Sequence, residues 1–257
     1  MLLIAAHPDD ETIGAGALLS REPLVQIVHA TEGAPQNMTD AMRAGFSSQS
    51  NYACARIAEV NNALRLAGIP SQSIQNLRYT DQRVVFHLRE LALDILNLIQ
   101  ILTPAIVLSH AYEGGHPDHD SVAFACHLAL KKLRSEGIES GPRLMEFAEY
   151  HGQNGSLNTH EFLPEPSVRE IRCELTESER ALKTKMLSAF ASQAKTLQAF
   201  LPPEREFFRD APAYDFTQPP HSGQLYYEKF DWGIDGPTWR ELASKTLREL
   251  PIHGERI

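Results

Sequence analysis

Two short stretches bring histidine and carboxylate side chains close together: His7-Pro8-Asp9-Asp10-Glu11, and the run from His110 to Asp120 that contains His116-Pro117-Asp118-His119. Imidazole nitrogens and carboxylate oxygens are the donor set of a catalytic divalent metal. A catalytic zinc takes three protein ligands and keeps one position for water. Two residues separate His7 from Asp10, a spacing that lets both face one point at a strand-to-helix turn. His119 can complete the triad from the second stretch, and Asp9 then stands beside the metal's water without ligating it. Each stretch has a plainer account. An Asp-Asp pair before a helix serves as N-cap and dipole partner, and a loop His pair can simply be solvated. Capping twice over explains two such clusters poorly if both lie at adjacent ends of one sheet, where α/β proteins collect their ligands.

The elements that must position these residues follow from the pattern of apolar residues. Leu2–Ala6 reads as a short buried strand, Thr12–Ser20 as a helix, and Leu24–Thr31 as a second strand. Glycines 14 and 16 permit close approach to that first helix. A polar loop runs from Glu32 to about Ser48. Ala53, Ile57, Val60, Leu64 and Ala67 step by four and three, one face of a helix over 51–67, and Gly68 sits where a helix C-cap glycine belongs. Ile74–Tyr79 is a third strand. Val84 to Leu102 repeats the four-three step as a long helix that Pro104 stops. Ala105–Ser109 is an apolar strand, and 121–133 another helix. Alternating apolar strands and helices predict an α/β, Rossmann-like, mostly parallel sheet covered by helices on both faces. Its functional groups are expected just after Ala6, Thr31, Tyr79 and Ser109. Further on, 143–149 and 169–175 read as strands and 178–201 as a helix. The Pro- and aromatic-rich stretch from Pro202 to Pro237 reads as ordered loop with a strand near 225–230. The expectation is a single domain over 1–257 whose part after about residue 200 is an irregular extension packed on it.

Here the residues carry a resemblance. Ala6-His7-Pro8-Asp9-Asp10-Glu11, together with Gly115-His116-Pro117-Asp118-His119, resembles the PIG-L/LmbE-like family of zinc-dependent N-deacetylases. These act mostly on N-acetylglucosamine groups of glycolipids, thiol glycosides and sugar antibiotics. Thr31-Glu32-Gly33, Arg56 with Glu59, Tyr79-Thr80-Asp81 and the segment from Lys185 to Gln193 add weaker matches, so the likeness spans about the first 195 residues. It implies His7, Asp10 and His119 as zinc ligands and Asp9 as general base. His116 is implied as general acid or oxyanion partner, Asp118 as the group that orients and charge-tunes it, and Arg56 and Asp81 as sugar-holding residues. Iron(II) or another divalent ion fits the same His2Asp set. Two departures stand out. A family Tyr that assists the oxyanion lies where this chain has Gly114, with Tyr112 two residues further back as a substitute to test. A frequent family His is replaced by Phe190, which reads as a core aromatic. Removal of an N-acetyl group from an N-acetylglucosamine-type sugar or glycoconjugate is the implied reaction. The rival readings are an amidase acting on another N-acyl group, such as a thiol-sugar conjugate, and a catalytically idle sugar-binding protein.

Composition bounds the rest. The chain has 257 residues, 42% hydrophobic and 22% charged, values of an ordinary globular domain. Its net charge of -9 repels phosphate backbones, and no basic run reverses that, so a nucleic-acid partner is not expected. No stretch approaches the ~18 apolar residues of a membrane span. Cys54, Cys126 and Cys173 are isolated and odd in number, which argues against a disulfide framework and for a reducing compartment. The start of the chain has no basic region and too few apolar residues for a signal peptide, so a cytoplasmic location is expected. A homo-oligomer is left open. His29, His87 and His127 read as core or half-buried. His151, His160, His221 and His253 lack ligand spacing, and His110 reads as either a strand end or a support for the second cluster.

Overall fold

A computed structural model describes residues 1–22, 24–138 and 140–250. In chain order its strands are β1 (Leu2–Ala5), β2 (Gln26–Thr31), β3 (Ile74–Tyr79), β4 (Ile106–His110), β5 (Arg143–Phe147), β6 (Tyr150–His151), β7 (Asn158–Thr159), β8 (Glu170–Glu174) and β9 (Arg205–Asp210). Its helices are α1 (Asp10–Leu19), α2 (Thr39–Arg43), α3 (Gln49–Leu66), α4 (Leu88–Leu102), α5 (Pro117–Ser135), α6 (Glu177–Ser188), α7 (Ala194–Leu197) and α8 (Gly236–Glu249). Seven strands form one sheet in the order β3-β2-β1-β4-β5-β9-β8. The first five are parallel; β9 pairs antiparallel with β5, and β8 pairs antiparallel with β9. The chain starts in the middle of the sheet, winds outward through β2 and β3, then crosses back to β4. The strand order therefore reverses between β1 and β4, which opens a crevice at their carboxyl ends.

Side chains alternate between the two faces of a strand, and β1 shows what this does here. Leu2 and Ile4 enter the core formed with α4, α5 and α8, whereas Leu3 and Ala5 enter the core formed with α1, α3 and α6. The four-three step of α4 places Leu88, Leu91, Ile95, Leu98 and Ile99 in the first of these cores. Truncating one such side chain, Ile95→Ala for example, costs ~2–5 kcal/mol.

The structure departs from the sequence reading at several edges. Residues Val84–His87 form a 3-10 turn before α4, and His87 is exposed. The helix expected to start at 121 begins at Pro117, so Asp118, His119 and Asp120 occupy its first turn. Pro at the first helical position and acids in the first turn are the local signals for that start. The helix expected over 178–201 stops at Ser188. Beyond it, the Ser192 N–H and hydroxyl both donate to the Glu59 carboxylate on α3, at 2.8 and 2.6 Å, in place of continuing the helix. Phe190 is a core aromatic. Lys185 is exposed, and the buried lysine of α6 is Lys183. Residues 200–250 are more regular than expected: they contain β9 and the 14-residue α8, while Tyr226–Lys229 is a 3-10 turn and not a strand. The final stretch 251–257 of the expected extension, with His253, lies outside the described residues.

Candidate active site

The first cluster is held at the end of β1. The Ala6 carbonyl accepts from the Thr31 hydroxyl of β2 at 2.9 Å, and the Ala6 N–H donates to His110 Nε2 of β4 at 2.8 Å. The turn that follows is strained. Asp9 has φ 146° and ψ -26°, a conformation that favours glycine, and such strain clusters at functional sites. The buried Glu11 secures the turn from below: it accepts the Asp9 N–H at 3.1 Å and lies 2.8 Å from His29 Nε2.

Three side chains converge above this turn, Asp10 through both of its oxygens. His7 Nδ1 lies 3.2 Å from Asp10 Oδ2, His119 Nε2 lies 3.4 Å from Asp10 Oδ1, and the two imidazole nitrogens are 3.3 Å apart. Ligands held ~2.0–2.2 Å from one tetrahedral ion stand about 3.3–3.6 Å from each other. The spacing and chemistry of these three groups therefore fit a divalent cation. The far sides of the imidazoles are braced as metal-binding histidines usually are. His7 Nε2 is 3.2 Å from Asp81 and 3.4 Å from Asp118. Glu149 lies 3.3 Å from His119 Nδ1 and 2.8 Å from His110 Nδ1, and the His110 ring stacks on His119 at 4.2 Å. Burial opposes charge on His7, but Asp81 and Asp10 outweigh it and hold this imidazole well above its ordinary range.

Asp9 points beside this triad and is gripped by Arg56, whose two terminal nitrogens donate to its two oxygens at 3.0 and 3.2 Å. Burial pushes the Asp9 carboxyl up to about 6, with Arg56 working against it. That value suits a general base near neutral pH. The pairing adds a role to the one expected of Arg56: its terminal nitrogens hold Asp9, while its buried Nε has no hydrogen-bond partner. Gly33 makes the grip possible. It has φ +66°, and a Cβ there would come within 2.8 Å of both Arg56 Nε and Pro8 Cδ.

His116 departs from expectation in a more consequential way. It caps the N-terminus of α5, where its Nδ1 accepts the Asp118 N–H at 3.1 Å. The Asp118 carboxylate turns the other way, to His7 and to the backbone N–H groups of Gln82 and Val84 at 2.6 and 3.2 Å. Asp118 therefore braces His7 and does not charge-tune His116. Burial, then the nearby His7 and His119, push the His116 imidazole well below its usual range. With Nδ1 used as an acceptor, the neutral ring carries its proton on Nε2.

The tyrosine question resolves by geometry as well. Gly114 has φ +70°, a conformation that strains any larger side chain, and a Cβ there would come within 2.8 Å of Leu225 Cδ2. The Tyr112 hydroxyl donates to the Gln218 carbonyl at 2.9 Å and the ring stacks on Trp239, away from the cavity. Tyr150, at the start of β6, instead enters beside His119 at 5.3 Å between ring centres. Tyr150 and Glu149 escaped the sequence reading, although both directly follow a strand at the functional edge of the sheet, which was the available signal.

These groups line a cavity of about 640 Å3. His7, Asp9, Asp10, Asp81, His116, His119 and Tyr150 form part of its lining, and Tyr226, Phe230 and Trp232 form another part. A second cavity of about 700 Å3 lies between α5 and residues 211–216. Among the described residues it holds no group of three metal-ligating side chains.

Comparison with known proteins agrees with this picture. The family described as PIG-L: GlcNAc-PI de-N-acetylase matches residues 2–130. The chain is 27% identical over 142 residues to 1D-myo-inositol 2-acetamido-2-deoxy-alpha-D-glucopyranoside deacetylase 2 of Catenulispora acidiphila, covering 46% of this chain and 47% of that protein. It is 28% identical over 143 residues to the probable N-acetyl-alpha-D-glucosaminyl L-malate deacetylase 2 of Bacillus subtilis, covering 53% of this chain and 62% of that protein. The matches thus span only about half to three-fifths of the length of these curated relatives. The fold is shared with the A40926 pseudoaglycone deacetylase Dbv21, at a TM-score of 0.60 and 22% identity over 83% of this chain and 97% of that one.

Proposed function

Because the chain belongs to the PIG-L (GlcNAc-PI de-N-acetylase) family, matched over half its length, we propose that it is a metal-dependent N-deacetylase of N-acetylglucosamine-type sugars or glycoconjugates. The observation that carries this reading is the convergence of His7, Asp10 and His119 at 3.2–3.4 Å, with Asp9 beside them. We assign these three as ligands of a divalent ion, zinc in the first instance and iron(II) as the other candidate. When bound, that ion supplies Lewis acidity and acidifies a water.

The chain's own residues divide the remaining work. Asp9 takes a proton from the attacking water, and Arg56 keeps this buried carboxylate aimed. As the water oxygen bonds to the acetyl carbon, the carbonyl oxygen gains negative charge. His116 donates to it through Nε2–H as a neutral donor, and the Tyr150 phenol is placed to assist. Donors aimed where charge develops commonly supply ~2.7–4 kcal/mol each. The C–N bond then breaks and Asp9 returns the proton to the departing nitrogen, leaving a free amino sugar and acetate. Asp81 lines the cavity, and we assign its carboxylate to sugar hydroxyls as well as to His7. The described cysteines are all free thiols. Among the described residues no helix is long and apolar enough to cross a membrane.

The test is amine and acetate release from a panel of N-acetylated sugars by protein loaded with zinc or iron(II). Asp9→Ala should retain the ion and lose ~10²–10⁴-fold in rate, while His119→Ala should lose the ion. Near wild-type turnover by Asp9→Ala would remove the base from this scheme. Amine release without acetate would point to another acyl group. Metal and sugar binding with no turnover on any panel member would leave a sugar-binding protein.

A further inference from the structure

Six rings follow one another around the catalytic cavity. His119 meets Tyr150 at 5.3 Å between ring centres, Tyr150 meets Tyr226 at 5.9 Å, and Tyr226 meets Phe230 at 5.4 Å. Phe230 stacks on Trp232 at 4.6 Å and 13°, Trp232 meets His116 at 4.6 Å, and His116 returns to His119 at 5.2 Å. The two histidines belong to the chemistry. The four other rings come from residues 150 and 226–232, beyond the 2–130 stretch that the family matches. Phe230 keeps 40% of its surface exposed, a cost in water that a bound ring would remove.

The charges near this collar narrow what it can accept. The Lys229 ammonium donates to the Gly155 carbonyl and sits over the Tyr226 ring at 5.1 Å. Arg43 pairs with Asp40 and Arg56 with Asp9. The Lys229 ammonium meets a neutral carbonyl and keeps its charge, yet the lining carries Asp9, Asp10, Asp40, Asp81 and an exposed Asp231 against Arg43, Arg56 and Lys229, a negative balance. An anionic attachment such as a phosphate or a dicarboxylate would meet more carboxylates than cations. An uncharged ring would meet flat aromatic surface, which binds through dispersion and apolar burial.

Resting on the deacetylase reading, we propose that Trp232 and Phe230 form a subsite for a second, uncharged pyranose ring linked to the N-acetylated sugar. A cavity of about 640 Å3 sits near the middle of the ~300–1,000 Å3 that ligand pockets span, with room beyond one hexosamine. The substrate class is therefore a neutral N-acetylated di- or oligosaccharide, and the collar selects it over the bare monosaccharide.

The experiment compares kcat/KM of the metal-loaded enzyme on N-acetylglucosamine, N,N′-diacetylchitobiose, phenyl N-acetylglucosaminide and N-acetylglucosaminyl malate. The disaccharide should exceed the monosaccharide by tenfold or more, with the malate conjugate below it. Phe230→Ala, which leaves the Trp232–His116 contact in place, should lower the disaccharide value about five- to tenfold through KM and change the monosaccharide less than twofold. A second readout is independent of turnover. The chain has two tryptophans, and Trp239 is fully buried. Titrating Asp9→Ala with the disaccharide should therefore change the fluorescence of Trp232, and adding Trp232→Phe should abolish that change. A malate or phenyl conjugate preferred over the disaccharide would overturn the proposal, as would a disaccharide-to-monosaccharide ratio unchanged by Phe230→Ala. Absence of turnover on every compound would instead strike the deacetylase reading, and the titration would still report on the collar.

Discussion

Asp9 and Arg56 illustrate how one contact couples two residues. A doubly bonded guanidinium orients the carboxylate and keeps it ionised against burial. Arg56→Met should raise the Asp9 pKa, since a nearby opposite charge commonly lowers a carboxyl by ~1–3 pH units. The base is then protonated over a wider range, so the acid limb of the kcat/KM profile should move to higher pH by a unit or more, with activity at neutral pH lower by about twofold for a shift of one unit and about tenfold for two. A pH–rate profile unchanged by Arg56→Met would return the arginine to a supporting role. Glu149 gives a second prediction. It stands behind His119 and His110, and loss of such a brace typically weakens metal binding ~10–100-fold. Competition with a chelator of known affinity should show that loss in Glu149→Gln, with the far-UV circular dichroism unchanged.

At the scale of elements, α1 depends on distant partners. Its backbone leaves the helical range at Ala15, with φ -140°. The groups freed by this break are satisfied from elsewhere. The Ala17 and Leu18 N–H groups donate to Glu206 of β9 at 2.7 and 3.0 Å, and the Ile13 carbonyl accepts from Lys183 of α6 at 2.7 Å. Lys183 and Glu206 themselves pair at 2.7 Å, fully buried. This accounts for a kink in the helix that carries Asp10. Lys183→Met would leave the Glu206 charge buried without its partner, which typically costs ~3–5 kcal/mol. Denaturant unfolding should show that loss, and adding Glu206→Gln should recover part of it. Strict additivity of the two changes would mean that the pair is not the anchor.

For the whole molecule, the reversal of strand order between β1 and β4 brings residues 7–10 and 116–119 to one crevice. A different property concerns acid stability. His127, on α5, is half-buried against Tyr214 and Phe216, and loss of hydration, with Arg134 a lesser influence, lowers its pKa to about 4. An unfolded histidine titrates near ~6.5. Between those values the unfolded chain binds the proton and the folded one does not, so stability falls as pH drops from about 6.5 toward 4. His127→Phe removes this contribution, on the order of 2–3 kcal/mol by pH 4. Melting temperatures measured between pH 7 and 4.5 should fall less steeply in the variant. Parallel curves for the two proteins would show that His127 does not set the acid limit.

The residues of both clusters, the parallel β1–β5 core with its flanking helices and the glycine at 68 were legible in the amino-acid order alone. They depend on local spacing and apolar periodicity, which act over a few residues. Three features were decided only by tertiary structure. Arg56 met Asp9 because Gly33 lacks a Cβ where β2 ends. Asp118 turned to His7 because the α5 N-terminus took His116 as its cap. Glu149, Tyr150 and the collar at 226–232 reached the crevice because β5 lies beside β4 in the sheet and the chain after β9 folds back over Gly114. Each is a contact between residues distant in the chain. Side-chain direction there is set by packing from several elements at once, and no local pattern in the sequence records it.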